Sequence, residues 1–211
     1  MENPRVKWLI NCVRGERILN VGFIGKGEDG TRLHKAFKKR NKKAFLVGVD
    51  INQELLLKFR EENTLAGDAY FLPFDNKSFD TVVLGEVIEH FFDITGLIRE
   101  VSRVLKPKGK LYLTTPSPYA LFRWLKHWLL IEKKRMLTKE NTKGFLGDDD
   151  HKVIWEPLSL VNLLEKNKLK VTVAETKVLA FPYFSFLREA DLSFWPFNRL
   201  GEYLCLIGVK Q

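Results

Sequence analysis

Cysteine is scarce. Cys12 and Cys205 are the only two in 211 residues. Two thiols so far apart exclude a disulfide framework and a cysteine-built structural zinc site, and they suit a reducing cytosol. Long hydrophobic runs are missing as well. No stretch reaches the roughly 18 consecutive apolar residues of a membrane span, and Met1 to Ile10 has no apolar core of the kind that drives secretion. The expectation is therefore a cytoplasmic protein. There is no internal repeat and no low-complexity tract. Acid is the charge in shorter supply: 26 Asp and Glu face 35 Lys and Arg, a formal net charge of +9. Such an excess either keeps a surface solvated or meets nucleic acid, an anionic membrane or an acidic substrate. Apolar side chains are plentiful, at 45% of the chain, which supplies the core of one domain of this length.

The order of patterns predicts an α/β domain. Strands are expected at Arg17–Val21, Ala44–Val49, a short one around Ala69-Tyr70, Phe79–Leu84, Lys110–Thr115, Leu169–Ala180 and Glu202–Lys210. Helices are expected at Val6–Val13, packed on the sheet edge, and at Thr31–Arg40, Gln53–Glu62 and Pro157–Asn167. A further helix carries the stripe Ile94, Leu97, Ile98, Val101, Val104, Leu105 and is broken by Pro107-Lys108-Gly109. Strands alternating with helices imply a parallel, doubly wound sheet. The chain reads as one domain, 1–211, with substrate-side insertions at about 116–150 and 181–200.

Chemistry enters at the first turn. Ile18-Leu19-Asn20-Val21-Gly22-Phe23-Ile24-Gly25-Lys26-Gly27 is a strand running into a glycine-rich turn. Glycine there lets backbone approach a ligand closely. Asp50 ends the next strand, and Asp68 follows it in Gly67-Asp68-Ala69. A carboxylate at the tip of a second strand can grip a ribose diol, and one beyond the third can accept from an exocyclic amine. Together they describe an adenosine site. Glu28 and Asp29 stand where a dinucleotide's pyrophosphate would sit, so like charge disfavours a dehydrogenase cofactor.

These pieces resemble the class I S-adenosylmethionine-dependent methyltransferases. The resemblance rests on Ile18 to Gly27, Val47-Gly48-Val49-Asp50, Gly67-Asp68-Ala69, Leu72-Pro73-Phe74, Ser78-Phe79-Asp80, Glu86-Val87-Ile88-Glu89-His90 and Val104 to Leu111. It implies a Rossmann-like, doubly wound, mostly parallel seven-stranded sheet with an antiparallel last strand, and S-adenosyl-L-methionine as cofactor. It further implies that Gly22, Phe23, Gly25 and Gly27 line the methionine and ribose side. Asp50 would hold the ribose hydroxyls with Ile51 against the adenine, Asp68 would face the adenine amine beside Ala69, and Gly85 and Glu86 would lie near the reacting methyl group. Two departures stand out. Asn20 occupies a position where the family usually has an acid, and the glycines fall at 22, 25 and 27, so that Ile24 or Gly25 takes the middle place.

The acceptor side is read from His90 and His151, the candidate bases. Asp148-Asp149-Asp150-His151 is not supported by other residues at ligand spacing, so no metal is expected. From Leu121 to Lys143, Phe122, Trp124 and Trp128 mix with seven Lys or Arg against two acids. That segment reads as a lid over an apolar, small or lipid-like acceptor, with a peripheral membrane contact or plain core packing as alternatives. The aromatic stretch Phe181 to Trp195 is expected to close over the same mouth. Arg32 to Lys43 holds seven Lys or Arg and no acid, and a solvated helix is favoured there over a nucleic-acid surface. The function expected is methyl transfer to a small or amphiphilic acceptor. Its alternatives are a non-catalytic S-adenosylmethionine-binding or scaffold protein of the same fold, and a nucleic-acid methyltransferase. Oxygen, nitrogen and carbon acceptors, and every oligomeric state, remain open.

Overall fold

A computed structural model describes residues 3–25, 30–120, 152–177 and 201–211. The lid segments expected within 121–143 and 181–195, together with Gly27 and His151, lie outside the described residues. Elements follow in the order α1 (Pro4–Cys12), β1 (Arg17–Val21), α2 (Arg32–Arg40), β2 (Phe45–Asp50), α3 (Gln53–Phe59), β3 (Thr64–Ala66), β4 (Phe79–Gly85), a 3₁₀ turn (Ile88–His90), α4 (Ile94–Val104), β5 (Leu105–Pro116), α5 (Pro157–Lys166), β6 (Leu169–Lys177) and β7 (Tyr203–Lys210).

Seven strands form one sheet in the order β3-β2-β1-β4-β5-β7-β6. The first five are parallel, and β7 runs antiparallel between β5 and β6. Chain order reverses between β1 and β4, and ligands of open α/β sheets bind outside the carboxyl ends of the strands at such a reversal.

Period-two alternation divides the strands between two buried faces. Leu19, Val82 and Leu111 point into one core with Leu97, Ile98 and Val101 of α4 and Leu160 and Leu164 of α5. Ile18, Val83 and Tyr112 point into the other with Leu9 of α1, Val13 just after it and Phe37 of α2. Helix α1 therefore packs on a face of the sheet, across β1, β4 and β5, and not on its edge. The Trp8 and Tyr112 rings meet edge-on at 6.2 Å. Its N-terminus is well specified: the Asn3 side chain accepts from the Arg5 N–H and Pro4 fills the first turn.

Several boundaries differ from the sequence reading; the helix expected to run from Gln53 to Glu62 ends at Phe59, with Arg60 left-handed at φ 49°. The third strand is Thr64–Ala66, paired with Gly48–Asp50, and Ala69-Tyr70 lies in a turn. The Asp68 carboxylate accepts the Tyr70 N–H at 2.9 Å, a side-chain-capped turn that takes the chain off the sheet. Pro107-Lys108-Gly109 does not separate helix from strand. Pairing begins at Leu105 opposite Phe79, is interrupted, and resumes at Lys110 opposite Thr81, with Lys108 at a positive φ of 63°. The glycine-containing turn is absorbed as an irregularity within one strand. No helix among the described residues is long and apolar enough to cross a membrane.

Candidate active site

The carboxyl ends of β1, β2 and β4 open on a crevice of about 620 Å³. At its back, Gly22 leaves β1 at φ 62°, and its N–H donates to the Val49 carbonyl at 2.8 Å. A Cβ there would come within 2.7 Å of Val87 Cγ2, so glycine is required by conformation and by space. On one side stands Asp50, only 8% exposed. Its Oδ2 accepts from the Ile24 N–H and its Oδ1 from the Asn52 N–H, both at 3.0 Å. The carboxylate thus ties the glycine turn to the start of α3 before any ligand arrives. Ile51 beside it is 76% exposed, an apolar side chain held open to the solvent. Asp68 and Ala69 continue the same wall, Asp68 exposed and Ala69 buried.

The opposite wall is built by β4 and the turn after it. Glu86 sits at φ 61°, a left-handed backbone that costs a non-glycine residue on the order of 1 kcal/mol, and it is the one such residue among those lining the crevice. Its N–H is held by the Thr114 carbonyl at 3.0 Å, and its Oε1 lies 3.8 Å from Arg5 Nη1. His90 lines the crevice from the end of the 3₁₀ turn. Below it, Glu89 is fully buried and accepts from the Thr115 hydroxyl at 3.2 Å. Burial, reinforced by the neighbouring Glu86 charge, pushes the Glu89 carboxyl up to about 8. Lys152 and Val153 donate their backbone N–H groups to the Glu89 carbonyl, and Trp155 Nε1 donates to Ile88 O at 3.1 Å. The segment after residue 151 is thereby fastened to the floor of the site, and Lys152 lines the crevice with its ammonium 5.2 Å from the centre of the Phe92 ring.

Of the residues expected from sequence, Gly22, Asp50, Ile51, Asp68, Ala69, Glu86 and His90 line this one crevice. Phe23, Gly25 and Gly85 do not. Phe23 is buried with its ring 4.6 Å from that of His34. Gly25 donates its N–H to Gly30 O, closing the turn on itself. A Cβ at Gly85 would face Leu33, Leu9 and Arg5. Residues not anticipated also line the mouth, among them Tyr70, Phe91, Phe92 and Lys152. Tyr70 and Phe91 pack edge-on at 5.1 Å, and the Tyr70 hydroxyl donates to Asp93 O at 2.7 Å. The run Phe91-Phe92 directly after the candidate base was the available signal for an aromatic rim.

Asn20 also finds its reason. It is 2% exposed and lies under the sheet tips, away from the crevice lining. Its Nδ2 is 3.4 Å from Nδ1 of His34, itself buried. Burial lowers the His34 pKa to about 4, with Glu61 opposing, so the imidazole is neutral. An acid at position 20 would bury a charge beside that neutral ring; the amide makes an uncharged pair instead.

Residues 24–113 match a family model described as a methyltransferase domain. A fatty-acid O-methyltransferase of Mycolicibacterium smegmatis is 32% identical over 53% of this chain and 42% of its own length. A demethylmenaquinone methyltransferase of Thermotoga maritima is 29% identical over 54% of this chain and 49% of its own. The matched stretch thus spans less than half of either curated relative. Among solved structures, a SAM-dependent methyltransferase from Archaeoglobus fulgidus superposes with a TM-score of 0.66 at 20% identity, covering 98% of this chain and 92% of that one. Sheet order and domain match agree: residues 24–113 are similar to the methyltransferase-domain family, and the sheet has the fold of the solved SAM-dependent methyltransferase.

Proposed function

We propose that this protein transfers a methyl group from S-adenosylmethionine to a small, lipid-like acceptor. The observation that carries the reading is the single crevice at the strand-order reversal, with Asp50 and Asp68 on one wall and Glu86 and His90 on the other. The residues suit the cofactor. Asp50 presents carboxylate oxygens to a ribose diol, Ile51 offers an open apolar surface for the base, and the exposed Asp68, one of whose oxygens accepts the Tyr70 N–H, has its other oxygen to take an amine. Gly22 allows close backbone approach, and the Glu86 carboxylate supplies negative charge on the side expected for the sulfonium. A volume of about 620 Å³ is within the range of small-ligand sites.

When bound, the cofactor supplies an electrophilic methyl group and leaves as the thioether. The chain's own contribution is alignment and proton handling. His90 stands at the rim as the base that takes the acceptor's proton as the new bond forms. The aromatic rim of Tyr70, Phe91 and Phe92 excludes water and gives an apolar acceptor its surface. The relatives support the acceptor class, since those named act on fatty acids and demethylmenaquinone. The lid expected of the insertions at about 116–150 and 181–200 belongs to the same reading.

The test is calorimetric titration with S-adenosylhomocysteine, followed by methyl-transfer assays on fatty acids and quinols. Micromolar binding with turnover on one of these supports the proposal. No binding at millimolar ligand removes it, and binding with no turnover on any acceptor favours a binding protein of the same fold.

A further inference from the structure

The opposite end of the sheet carries a second concavity. A groove of about 580 Å³ is lined by Arg14, Glu16, Lys39, Arg40, Lys42 and Lys43, among others, where β1 and β2 begin. All six are exposed, and Glu16 is the single acid. Along α2, Lys35 and Lys38 are paired, with Glu61 at 3.1 Å and Glu62 at 2.7 Å. Lys39, Arg40, Lys42 and Lys43 make no ion pair among the described residues. Cations in the last turn of a helix suit its dipole, which accounts for Lys39 and Arg40. Lys42 and Lys43 lie past the helix end and have no such reason.

An aromatic platform borders the groove. Phe45, the first residue of β2, is 45% exposed, and its N–H is fastened to Glu16 O at 2.7 Å. The Arg17 guanidinium lies 5.1 Å from the centre of its ring. Arg17 is itself held by Ser78 O at 2.9 Å. Unpaired cations along a groove, beside an open ring carrying a guanidinium, have the chemistry of single-stranded nucleic-acid sites: charge follows phosphates and the ring stacks a base. A membrane fits less well. β1 and β2 are five and six residues long, which separates groove from crevice by roughly 17–20 Å at about 3.3 Å per residue. A bilayer held at the groove would face away from the crevice that has to receive a lipid-like acceptor.

We propose that this groove binds single-stranded nucleic acid, as an anchoring site separate from the methyl-transfer crevice. The probe is a fluorescein-labelled 12-mer oligouridylate followed by anisotropy across a salt series. Its affinity should fall with salt with a log–log slope near −3, about 0.7 for each of four phosphate contacts. Lys42→Glu/Lys43→Glu should weaken binding at least tenfold and flatten that slope, while thermal melting and S-adenosylhomocysteine binding stay as in the parent chain. Phe45→Ser should weaken binding severalfold without flattening the slope. Should Lys42→Glu/Lys43→Glu misfold, Lys42→Gln, a single exposed change, serves in its place. Three results overturn the proposal: no binding of the oligomer at low salt; equal affinity for inorganic polyphosphate with no effect of Phe45→Ser; or binding to phosphatidylglycerol vesicles but not to RNA.

Discussion

Asp50 carries two duties that a substitution would expose together. Its oxygens accept the Ile24 and Asn52 N–H groups, and the same carboxylate is proposed to take the ribose hydroxyls. Asp50→Ala should lower S-adenosylhomocysteine affinity at least tenfold, about 1.4 kcal/mol, and cost about 1–3 kcal/mol of stability through the two abandoned donors. Calorimetry and urea unfolding read the two effects, and an unchanged Kd removes the ribose role. Two buried titratable groups set opposite pH limits. Glu89 titrates near 8 in the fold against an ordinary 4.5, so its contribution is complete below 4.5 and is lost as pH rises through 8. Glu89→Gln should flatten the fall in stability across that window in denaturation at several pH values. His34 titrates near 4 against 6.5, so it contributes above 6.5 and the contribution is lost as pH falls through 4. Asn20→Asp should place a carboxylate against that ring and carry the His34 pKa above 4, read by NMR titration of its Cε1 proton; a midpoint still near 4 contradicts the pairing.

The strands and helices that position these residues vary in how openly the sequence announces them. The α4 stripe was plain, because Ile94, Leu97, Ile98, Val101 and Val104 repeat at helical spacing and all of them are buried. Ile98→Ala should cost about 2–5 kcal/mol in urea unfolding with the slope of the transition unchanged. β2 and β4 were legible as apolar runs because both of their faces are covered. β3 was not, since three residues are too few to show an alternation, and its place is set by pairing with Gly48–Asp50. The bend in β5 was hidden for a similar reason: Pro107 and Gly109 are breakers locally, yet tertiary pairing on both sides keeps the strand going. At the site, the acids at the strand tips were readable from motif spacing. The inward turn of Phe23 was not, because it depends on His34 from α2 and on Gly48 from β2, where a Cβ would meet the Phe23 ring at 2.7 Å.

Ligand binding and folding are coupled across the molecule, because the crevice draws on β1, β2, β4 and the segment after residue 151 together. A ligand that binds only the folded form at a hundred times its Kd adds about 2.7 kcal/mol. For a chain of this size that is roughly 5–10 °C in Tm. S-adenosylhomocysteine should give a shift of that order in differential scanning fluorimetry, and adenosine alone a smaller one; no shift at saturation contradicts a crevice that spans several strands. The sheet order also governs assembly. β7 lies between β5 and β6, and its pairing with both is antiparallel. A ribosome that has released everything up to residue 200 has delivered β6 without its one hydrogen-bonding neighbour among the described residues, and β5 with a bare, apolar flank. The nascent polypeptide must shelter that flank until residues 203–210 emerge, so chaperone capture during that interval should raise the yield of folded protein.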